Sequence, residues 1–196
     1  MSKDAHYFIA VPLSHELKQI YTSWQSECRK ILPYRNWTHP DDLHVTLKFL
    51  GPVSEDTITQ ITYELNDLRH VTPFSVETGE LGTFGHSNSP RVLWVGVDRK
   101  KELIDLQKRV EESVLPYGFP KEKRQFRPHI TLGKKWNHHE IVENQLLARL
   151  LKQYTGYKQS LYIDNIVLYR IQPKRSPKYV GVQIYELSGD NNGTTD

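Results

Sequence analysis

The chain has 196 residues, of which 37% are hydrophobic and 25% are charged. This composition excludes an intrinsically disordered chain and suits one globular domain, or two small lobes that share an interface. The net charge of +3 permits a polyanionic substrate without requiring one, and the single cysteine, Cys28, excludes an internal disulfide and a cysteine-based zinc site.

The first half of the chain predicts strands that alternate with helices. Short apolar runs indicate buried strands, and apolar residues at helical spacing behind a serine indicate helices. In chain order the predicted elements are a strand at 7–11, a helix from Ser14 to about Ile31, a loop at 33–40, a strand at 43–50, a helix from Ser54 to about Leu68 and a strand at about 74–84. The apolar run at 7–13 is too short for a signal segment or a membrane span, so we expect a cytoplasmic protein without a membrane partner.

The second half repeats the same alternation. Its predicted elements are a strand at 91–97, a helix from about Lys101 to Leu115, a basic loop at Lys121–Arg124, a strand at 126–132, a helix at about 139–153, and strands near 160–170 and 178–187. The last residues, 188–196, are polar and contain glycine, which predicts a disordered tail.

A short motif occurs once in each half. His44-Val45-Thr46-Leu47 resembles His129-Ile130-Thr131-Leu132 at a fixed offset in the numbering (129 − 44 = 85), which indicates an internal duplication. The predicted fold is α+β, a single domain over 1–187 with two pseudo-symmetric lobes from about 6–86 and 91–187. Each lobe is expected to be an antiparallel sheet covered by helices, with the active site in the central groove between them.

The repeated motif carries the candidate catalytic groups. Side chains alternate between the faces of a strand, so His44 and Thr46 share one face, and His129 and Thr131 share the corresponding face. Histidine titrates near neutrality, so one imidazole can accept a proton while the other donates one. Threonine hydroxyls can hold the non-bridging oxygens of a phosphate. This set predicts phosphodiester chemistry that needs neither a metal nor another cofactor.

Several cations could extend this face. Arg127 lies two residues before His129, so it is expected to share the strand face and to neutralise charge on a phosphoryl group. Lys48, two residues beyond Thr46, could contact phosphate or could be a solvated lysine at a strand end. The loop at Lys121–Arg124 could guide an RNA strand, although a charge run is usually just solvated.

The aromatic residues fall into two predicted groups. Trp37 and Trp136 lie near the ends of the motif strands and are candidates for stacking on bases. Phe49 and Phe126 alternate to the face opposite the histidines, and Trp94 lies inside an apolar strand, so all three are expected in the core.

A metal site is the competing interpretation. His138 and His139 adjoin Glu140, but adjacent residues at a helix start point in different directions, and no His-x₃-His spacing accompanies them. We therefore favour a solvated helix start. The histidine of a single His-x-Thr-Leu motif could also be a structural residue of a strand. Two copies of the motif in a repeat make that interpretation less credible.

The motifs as a set resemble a known superfamily. HVTLKFLG and RPHITLGK, with the segments YFIAVPL and RVLWVGV, resemble the two-histidine phosphoesterases, and among them the bacterial RNA 2′,3′-cyclic phosphodiesterases, also called 2′-5′ RNA ligases, over roughly 6–187. The resemblance implies that His44 protonates the departing 3′ oxygen and that His129 activates water. It implies a two-lobed fold, an RNA substrate with a 2′,3′-cyclic phosphate end, and a product with a 2′-phosphate.

Other functions stay open at the level of sequence. The same site could act on another cyclic nucleotide or on 2′-5′ linked oligonucleotides, could run in reverse as a ligase, or could merely bind RNA ends without catalysis. We expect a monomer.

Overall fold

The computed structural model describes residues 4–137 and 142–189. Within them the strands are β1 (Ala5–Pro12), β2 (Tyr34–Trp37), β3 (His44–Val53), β4 (Phe74–His86), β5 (Ser89–Val97), β6 (His129–Trp136), β7 (Gln159–Ile163), β8 (Asn165–Ile171) and β9 (Tyr179–Glu186). The α-helices are α1 (His15–Arg29), α2 (Glu55–Glu64), α3 (Lys101–Val114) and α4 (Asn144–Gln153), and 3₁₀ helices lie at Pro40–Asp42, Leu65–His70 and Leu115–Tyr117. None of the described helices is both long and apolar enough to cross a bilayer.

The predicted helices and strands are present, with differences at their ends. The segment at 160–170 forms two strands rather than one, and β2 lies in the predicted loop at 33–40. The strand predicted at 126–132 begins only at His129. β3 continues through Gly51 and Pro52 instead of ending there, because among the described residues one edge of β3 is unpaired in this region and tolerates a proline.

The nine strands in the described residues form one sheet. The order is β7-β4-β5-β6-β3-β1-β8-β9, with β2 also paired to β6, and every pairing is antiparallel. Between β3 and β6 the ladder consists of one pair, Val45 with Ile130. The predicted α+β fold with two antiparallel sheets is confirmed, with the addition that the two sheets are arms joined at this pair.

The two arms do not follow the two halves of the sequence. β4 comes from the first half but pairs with β5 and β7, and β8 comes from the second half but pairs with β1. Each half therefore contributes its last strands to the arm of the other half. Val45 and Ile130 occupy equivalent positions in the repeated motif, so the pseudo-two-fold axis passes through the pair that joins the arms.

The helices cover one face of the sheet. Ser14 begins α1 by accepting a hydrogen bond from Leu17 N (3.3 Å), and an apolar stripe on that helix packs into the same cluster as Val45 and Ile130. The stripe includes Cys28, whose burial raises the pKa of its thiol to about 12 and leaves it unreactive. The opposite face of the two motif strands is left open.

The chain end is more ordered than predicted. The backbone N–H of Ser188 donates to Arg69 O (2.9 Å), and that of Gly189 donates to Val71 O (3.1 Å). The prediction of a disordered tail is therefore wrong for residues 188 and 189, because these bonds tie them to the end of a 3₁₀ helix. Residues 190–196 lie outside the described part of the chain.

Candidate active site

Both motif strands contain a β-bulge at the same point. In β3, Thr46 pairs with Ala10 and Lys48 pairs with Ile9, so Leu47 has no partner across the ladder. An extra residue of this kind shifts the alternation of side chains by one position. Residues after the bulge therefore face the side opposite to the one that simple alternation predicts.

The bulge in β6 is the symmetric counterpart. Thr131 pairs with Trp94 and Gly133 pairs with Leu93, which leaves Leu132 unpaired. Leu47 and Leu132 are themselves equivalent positions of the repeated motif. The duplication thus preserved an irregularity of the strand as well as its sequence motif.

The predicted catalytic groups lie together on the open face at the junction of the arms. His44, Thr46, His129 and Thr131 are all half-buried, while the residues between them are fully buried. Because β3 and β6 are antiparallel about the pair that joins the arms, His129 lies beside Thr46, and His44 lies beside Thr131. Two imidazoles and two hydroxyls therefore share one surface, as the sequence predicted.

His44 is fixed by hydrogen bonds at both ring nitrogens. Its Nδ1 lies 2.7 Å from the carbonyl oxygen of Asp42, and its Nε2 lies 2.9 Å from Thr46 Oγ1. A carbonyl oxygen can only accept, so Nδ1 carries the proton of the neutral ring and donates a hydrogen bond to the carbonyl oxygen of Asp42. Nε2 then has a lone pair, which accepts from the threonine hydroxyl.

His129 is held in the same manner. Its Nδ1 donates to the carbonyl oxygen of Arg127 over 2.8 Å, two residues upstream, as Nδ1 of His44 does to Asp42. Within residues 4–137 and 142–189, no hydrogen bond occupies Nε2 of His129, so its lone pair can act on a substrate. A fixed tautomer with a bare Nε2 is the state that a general base requires.

Aromatic rings orient both imidazoles. Phe8 and Tyr179 pack against His44 with ring centroids at 4.8 and 5.3 Å. Phe84 meets His129 edge-on at 5.0 Å. These rings keep water from much of each imidazole surface. The sequence analysis did not identify them, because they come from strands distant in the chain.

Burial and neighbouring charges favour the neutral form of both histidines. Burial lowers the pKa of His44 to about 4, the bond to Asp42 opposes this, and the charges of Lys134 and His129 lower it further. Burial also lowers the pKa of His129, again opposed by its carbonyl bond and assisted by Lys134. In the free site at pH 7 both imidazoles are therefore neutral.

Lys134 is a site residue that sequence analysis missed. Simple alternation from His129 puts it on the buried face, but the bulge at Leu132 returns it to the histidine face. Burial, assisted by the charge of Lys178, lowers the pKa of Lys134. Its positive charge lowers the pKa of both imidazoles.

Lys48 is neither the phosphate contact nor the solvated lysine that the sequence predicted. It is buried, and its Nζ donates to Pro120 O (2.6 Å) and to Glu111 Oε1 (3.2 Å), with Glu122 Oε1 at 3.5 Å. The bulge at Leu47 turns this side chain away from the histidines. Lys48 is therefore an internal anchor for the loop that lines the cavity beside His129.

Arg127 lies beside the site, but not on the strand face where the sequence predicted it. It precedes β6 instead of lying in it, so strand alternation does not place its side chain. Its side chain is exposed and lines the cavity beside His129, and its carbonyl fixes that ring. In the neighbouring basic loop, Lys121 pairs with Glu112 over 2.8 Å, while Arg124 lines the same cavity.

Three aromatic residues were predicted to lie in the core. Phe49 and Trp94 lie elsewhere, and Phe126 lies only partly in the core. Phe49 is 54% exposed, because the bulge at Leu47 reverses its direction. Trp94 is half-buried beside His129, with 6.4 Å between ring centroids. Phe126 packs against the core as predicted but also lines the cavity beside His129.

The two tryptophans proposed for stacking also differ from each other. Trp136 is buried and meets Tyr34 edge-on at 5.2 Å, so no base can reach it, and the prediction of stacking is wrong there. Trp37 is half-buried with the guanidinium of Arg29 over its ring at 5.8 Å.

Two cavities open from the ends of the histidine constellation. The first, which we call the cleft, has a volume of about 850 Å³ and is lined by aromatic and aliphatic groups with several arginines, among them Phe49, Phe84, Val92, Arg91, Arg124 and Arg127. Thr46 and His129 lie in its wall. The second cavity is more polar and lies on the side of His44. A phosphate between the histidines would therefore have one apolar neighbouring space and one polar one.

The competing metal site lies outside the described residues. His138, His139 and Glu140 fall in the gap between 137 and 142. In the part of the chain that the structure describes, no three histidine, cysteine or acidic residues are grouped so as to hold a metal ion.

Comparison with known proteins gives consistent matches. The family model of the 2′-5′ RNA ligase superfamily matches residues 17–175. An RNA 2′,3′-cyclic phosphodiesterase of Geobacillus stearothermophilus is 35% identical over 98% of this chain, but the chain spans only 60% of that relative. A Bacillus subtilis protein of the same name is 33% identical, with 93% of this chain and 97% of the relative covered.

Solved structures share the fold. A Thermus thermophilus protein matches with a TM-score of 0.76 at 22% identity, over 95% of this chain and all of the other (100%). E. coli LigT complexed with 3′-AMP matches with a TM-score of 0.74 at 23% identity, over 93% and 98%. A two-armed antiparallel sheet with paired His-x-Thr strands at its centre defines the two-histidine phosphoesterase class. Within that class, the chain belongs to the 2′-5′ RNA ligase superfamily.

Proposed function

We propose that this protein is an RNA 2′,3′-cyclic phosphodiesterase that uses His44 and His129 as an acid–base pair without a metal. The observation that carries the proposal is the symmetric pair of imidazoles, each with Nδ1 held by a carbonyl and each beside a threonine on one open face. Relatives that carry this name support the substrate. Both histidines come from one chain, so a monomer suffices.

The proposed substrate position follows from the two cavities. The phosphorus lies between the histidines, and Thr46 and Thr131 hold the non-bridging oxygens. The base of the terminal nucleoside lies in the cleft against the exposed ring of Phe49, and its ribose turns O3′ towards His44. Arg127 offers charge to the phosphoryl group. Phe49 replaces Trp136 as a stacking residue.

The proposed reaction is an in-line displacement. His129 Nε2 takes a proton from water as the water oxygen bonds to phosphorus, and the bond from phosphorus to O3′ breaks. Protonated His44 donates its Nε2 proton to O3′, which leaves a 3′ hydroxyl and a 2′-phosphate. Ligation would follow the same course with a 5′ hydroxyl in place of water, and the roles of the histidines would be exchanged only when a 3′ hydroxyl cleaves that 2′-5′ linkage again.

His44 must gain its proton before it can act as the acid. It is neutral in the free site at pH 7, because burial keeps its pKa near 4. A bound phosphate monoanion next to Nε2 stabilises the imidazolium and raises this pKa. The substrate thus helps to charge the acid that protonates its own leaving group.

The decisive experiment supplies a short RNA with a 2′,3′-cyclic phosphate end in excess EDTA. We expect turnover to a 2′-monoester, identified by phosphorus NMR, and a loss of about 10²-fold or more in kcat for His44→Ala and for His129→Ala. Arg149→Ala, on the surface of α4, is the control. Loss of turnover on chelation would favour a metal enzyme, and binding without turnover by the unmodified protein would favour an RNA end-binding module.

We place the activity in the cytoplasm. The single cysteine is buried and unpaired, so the protein needs no oxidising compartment to fold.

A further inference from the structure

The second cavity is a basic groove on the side of His44. Its volume is about 530 Å³, and its lining includes Arg29, Arg35, Trp37, Lys134, Lys178 and Tyr179. Unlike those of the cleft, its described lining residues include no valine, leucine or isoleucine. The catalytic steps proposed above use none of Arg29, Arg35 and Lys178.

The groove has a rigid frame. Buried Gln25 of α1 donates from Nε2 to Thr38 O (2.8 Å) and to Leu132 O (2.9 Å), which ties the helix to the strands that form the floor. On the opposite wall, buried Asp42 accepts from the backbone N–H of Lys178 (2.8 Å) and of Tyr179 (3.0 Å).

The cations of the groove lack acidic partners. Asp42 is the one carboxylate among the described lining residues, and both of its oxygens are occupied by backbone N–H groups. Within residues 4–137 and 142–189, no carboxylate lies within ion-pairing distance of Arg29, Arg35 or Lys178. Concentrated positive charge without internal compensation is the feature that attracts a polyanion.

The groove is continuous with the reaction centre. Tyr179 lines it and packs against His44. Asp42 also lines it, and its backbone carbonyl oxygen accepts a hydrogen bond from Nδ1 of the same ring. Lys134 lines it and lowers the pKa of both histidines. An RNA strand that leaves the terminal ribose at its 5′ oxygen on the side of His44 therefore enters this groove directly.

We propose that the basic groove binds the phosphodiester backbone of the RNA on the 5′ side of the terminal nucleoside, with Arg29, Arg35 and Lys178 contacting successive phosphates. This inference rests on the proposed function. It predicts that the enzyme distinguishes an oligonucleotide from a mononucleotide, although both carry the same cyclic phosphate. The half-buried ring of Trp37, beneath Arg29, offers one base a surface on which to stack.

The test compares the double variant Arg29→Gln/Arg35→Gln with Arg149→Gln/Lys152→Gln, which removes the same charge from exposed positions of α4. For a short RNA with a cyclic phosphate end, we expect the groove variant to raise KM severalfold and to leave kcat unchanged. The slope of log KM against log salt should fall by about 1.4, at about 0.7 for each cation removed. For a mononucleotide cyclic phosphate, neither variant should change KM.

Two further measurements make the outcome decisive. Arg29→Lys/Arg35→Lys keeps the charge and should restore most of the KM, and circular dichroism of each variant checks folding. Binding of a product RNA with a 2′-phosphate end, followed by fluorescence anisotropy, needs no turnover. If the unmodified protein opens no cyclic phosphate, the proposed function fails, and this binding measurement still decides the role of the groove.

The RNA strand that occupies the groove can be identified with the same variants. If the groove variant weakens binding of a 5′-hydroxyl RNA while the KM for the cyclic oligonucleotide is unchanged, the bound backbone belongs to the second strand of the ligation reaction. If KM rises, it belongs to the strand that carries the cyclic end. Equal behaviour of groove and control variants in every measurement would overturn the proposal.

Discussion

At the scale of single residues, the site depends on two imidazoles that are neutral because they are partly buried. His44 has its pKa lowered to about 4, while its proposed role as the acid requires a protonated ring. The hydrogen bonds to Asp42 and Thr46 fix the ring without supplying a negative charge. The negative charge that stabilises the protonated ring of His44 must therefore come from a bound anion.

An anion in the site is expected to raise the pKa of His44. The proton NMR titration of the His44 ring should move to higher pH when sulfate is added, because the anion stabilises the imidazolium. Conversely, sulfate should bind more tightly as pH falls from 7 towards 4, since binding takes up a proton. The ring signals of exposed His15 should not respond to sulfate. An unchanged His44 titration would contradict this account of the acid.

A second prediction concerns the support of His129. Gly82 lies under the indole ring of Trp94, and a Cβ at this position would collide with that ring. Trp94 is enclosed by Phe84, with ring centroids at 5.1 Å, so it cannot move without disturbing the rings around His129. Gly82→Ala should lower kcat and reduce the free energy of unfolding by about 1–3 kcal/mol, measured by urea denaturation.

The control for this change is Trp94→Phe, which leaves room for a Cβ at Gly82. The double variant Gly82→Ala/Trp94→Phe should recover stability relative to Gly82→Ala alone. If Gly82→Ala were as stable and as active as the unmodified protein, the packing around His129 would have no role in catalysis.

At this scale the sequence predicted that the two imidazoles share one face, and it missed much of their surroundings. His44 and His129 were identifiable because a repeated polar pair interrupts two apolar strands. Phe49 was assigned to the wrong face and Lys134 was not identified, since the extra residue in each strand leaves no mark in the pattern of polar and apolar residues.

At the scale of secondary structure, a buried ion pair connects β3 to the loop that lines the cleft. The side chains of Lys48 and Glu111 are only 3% and 7% exposed. Glu111 Oε1 also accepts from the backbone N–H of Glu122 (2.8 Å), and Lys48 donates to Pro120 O. Strand, helix α3 and loop are therefore joined at one point, and the loop carries arginines into the cleft.

Removing one member of this pair should be costly. Lys48→Met leaves the Glu111 carboxylate buried without its cation, and we expect the free energy of unfolding to fall by about 3 kcal/mol. The double variant Lys48→Met/Glu111→Leu should recover most of that loss in urea denaturation. In both variants KM should rise more than kcat falls, because the cleft loop is loosened. A stability loss in the double variant equal to that of Lys48→Met would refute the ion-pair explanation.

The elements themselves were predictable where local chemistry marks them. Ser14 and Ser54 each accept a hydrogen bond from a backbone N–H three residues on, and both helices begin where these caps predicted. β2 was missed because its four residues show no clear alternation and it is defined by pairing with β6. Tertiary pairing of this kind cannot be inferred from a short segment alone.

At the scale of the whole molecule, the two halves of the chain complete each other. β1 has β8 as its outer neighbour, and β5 has β4, so each half lends strands to the other arm. The duplication was visible in the sequence. This exchange was not, because the hydrophobic pattern of a strand does not say which neighbour it pairs with.

The exchange predicts that neither half folds alone. A fragment of residues 1–88 has no β8 to pair with β1, and its β4 has neither β5 nor β7. Circular dichroism should show no cooperative unfolding for this fragment or for 89–196. Mixing the two should restore the native spectrum and cyclic phosphodiesterase activity. Cooperative unfolding of either isolated fragment would show that the halves are independent lobes.

The duplication also makes Phe49 and Lys134 equivalent positions, and each follows a bulge onto the open face. A frame with two-fold symmetry would bind a phosphodiester equally well in either direction. Here one copy of the position bears a ring beside the apolar cleft and the other bears an ammonium group beside the basic groove. In the proposed reaction, the same irregularity, filled by unlike side chains, gives the bound nucleic acid a polarity and selects the oxygen that leaves.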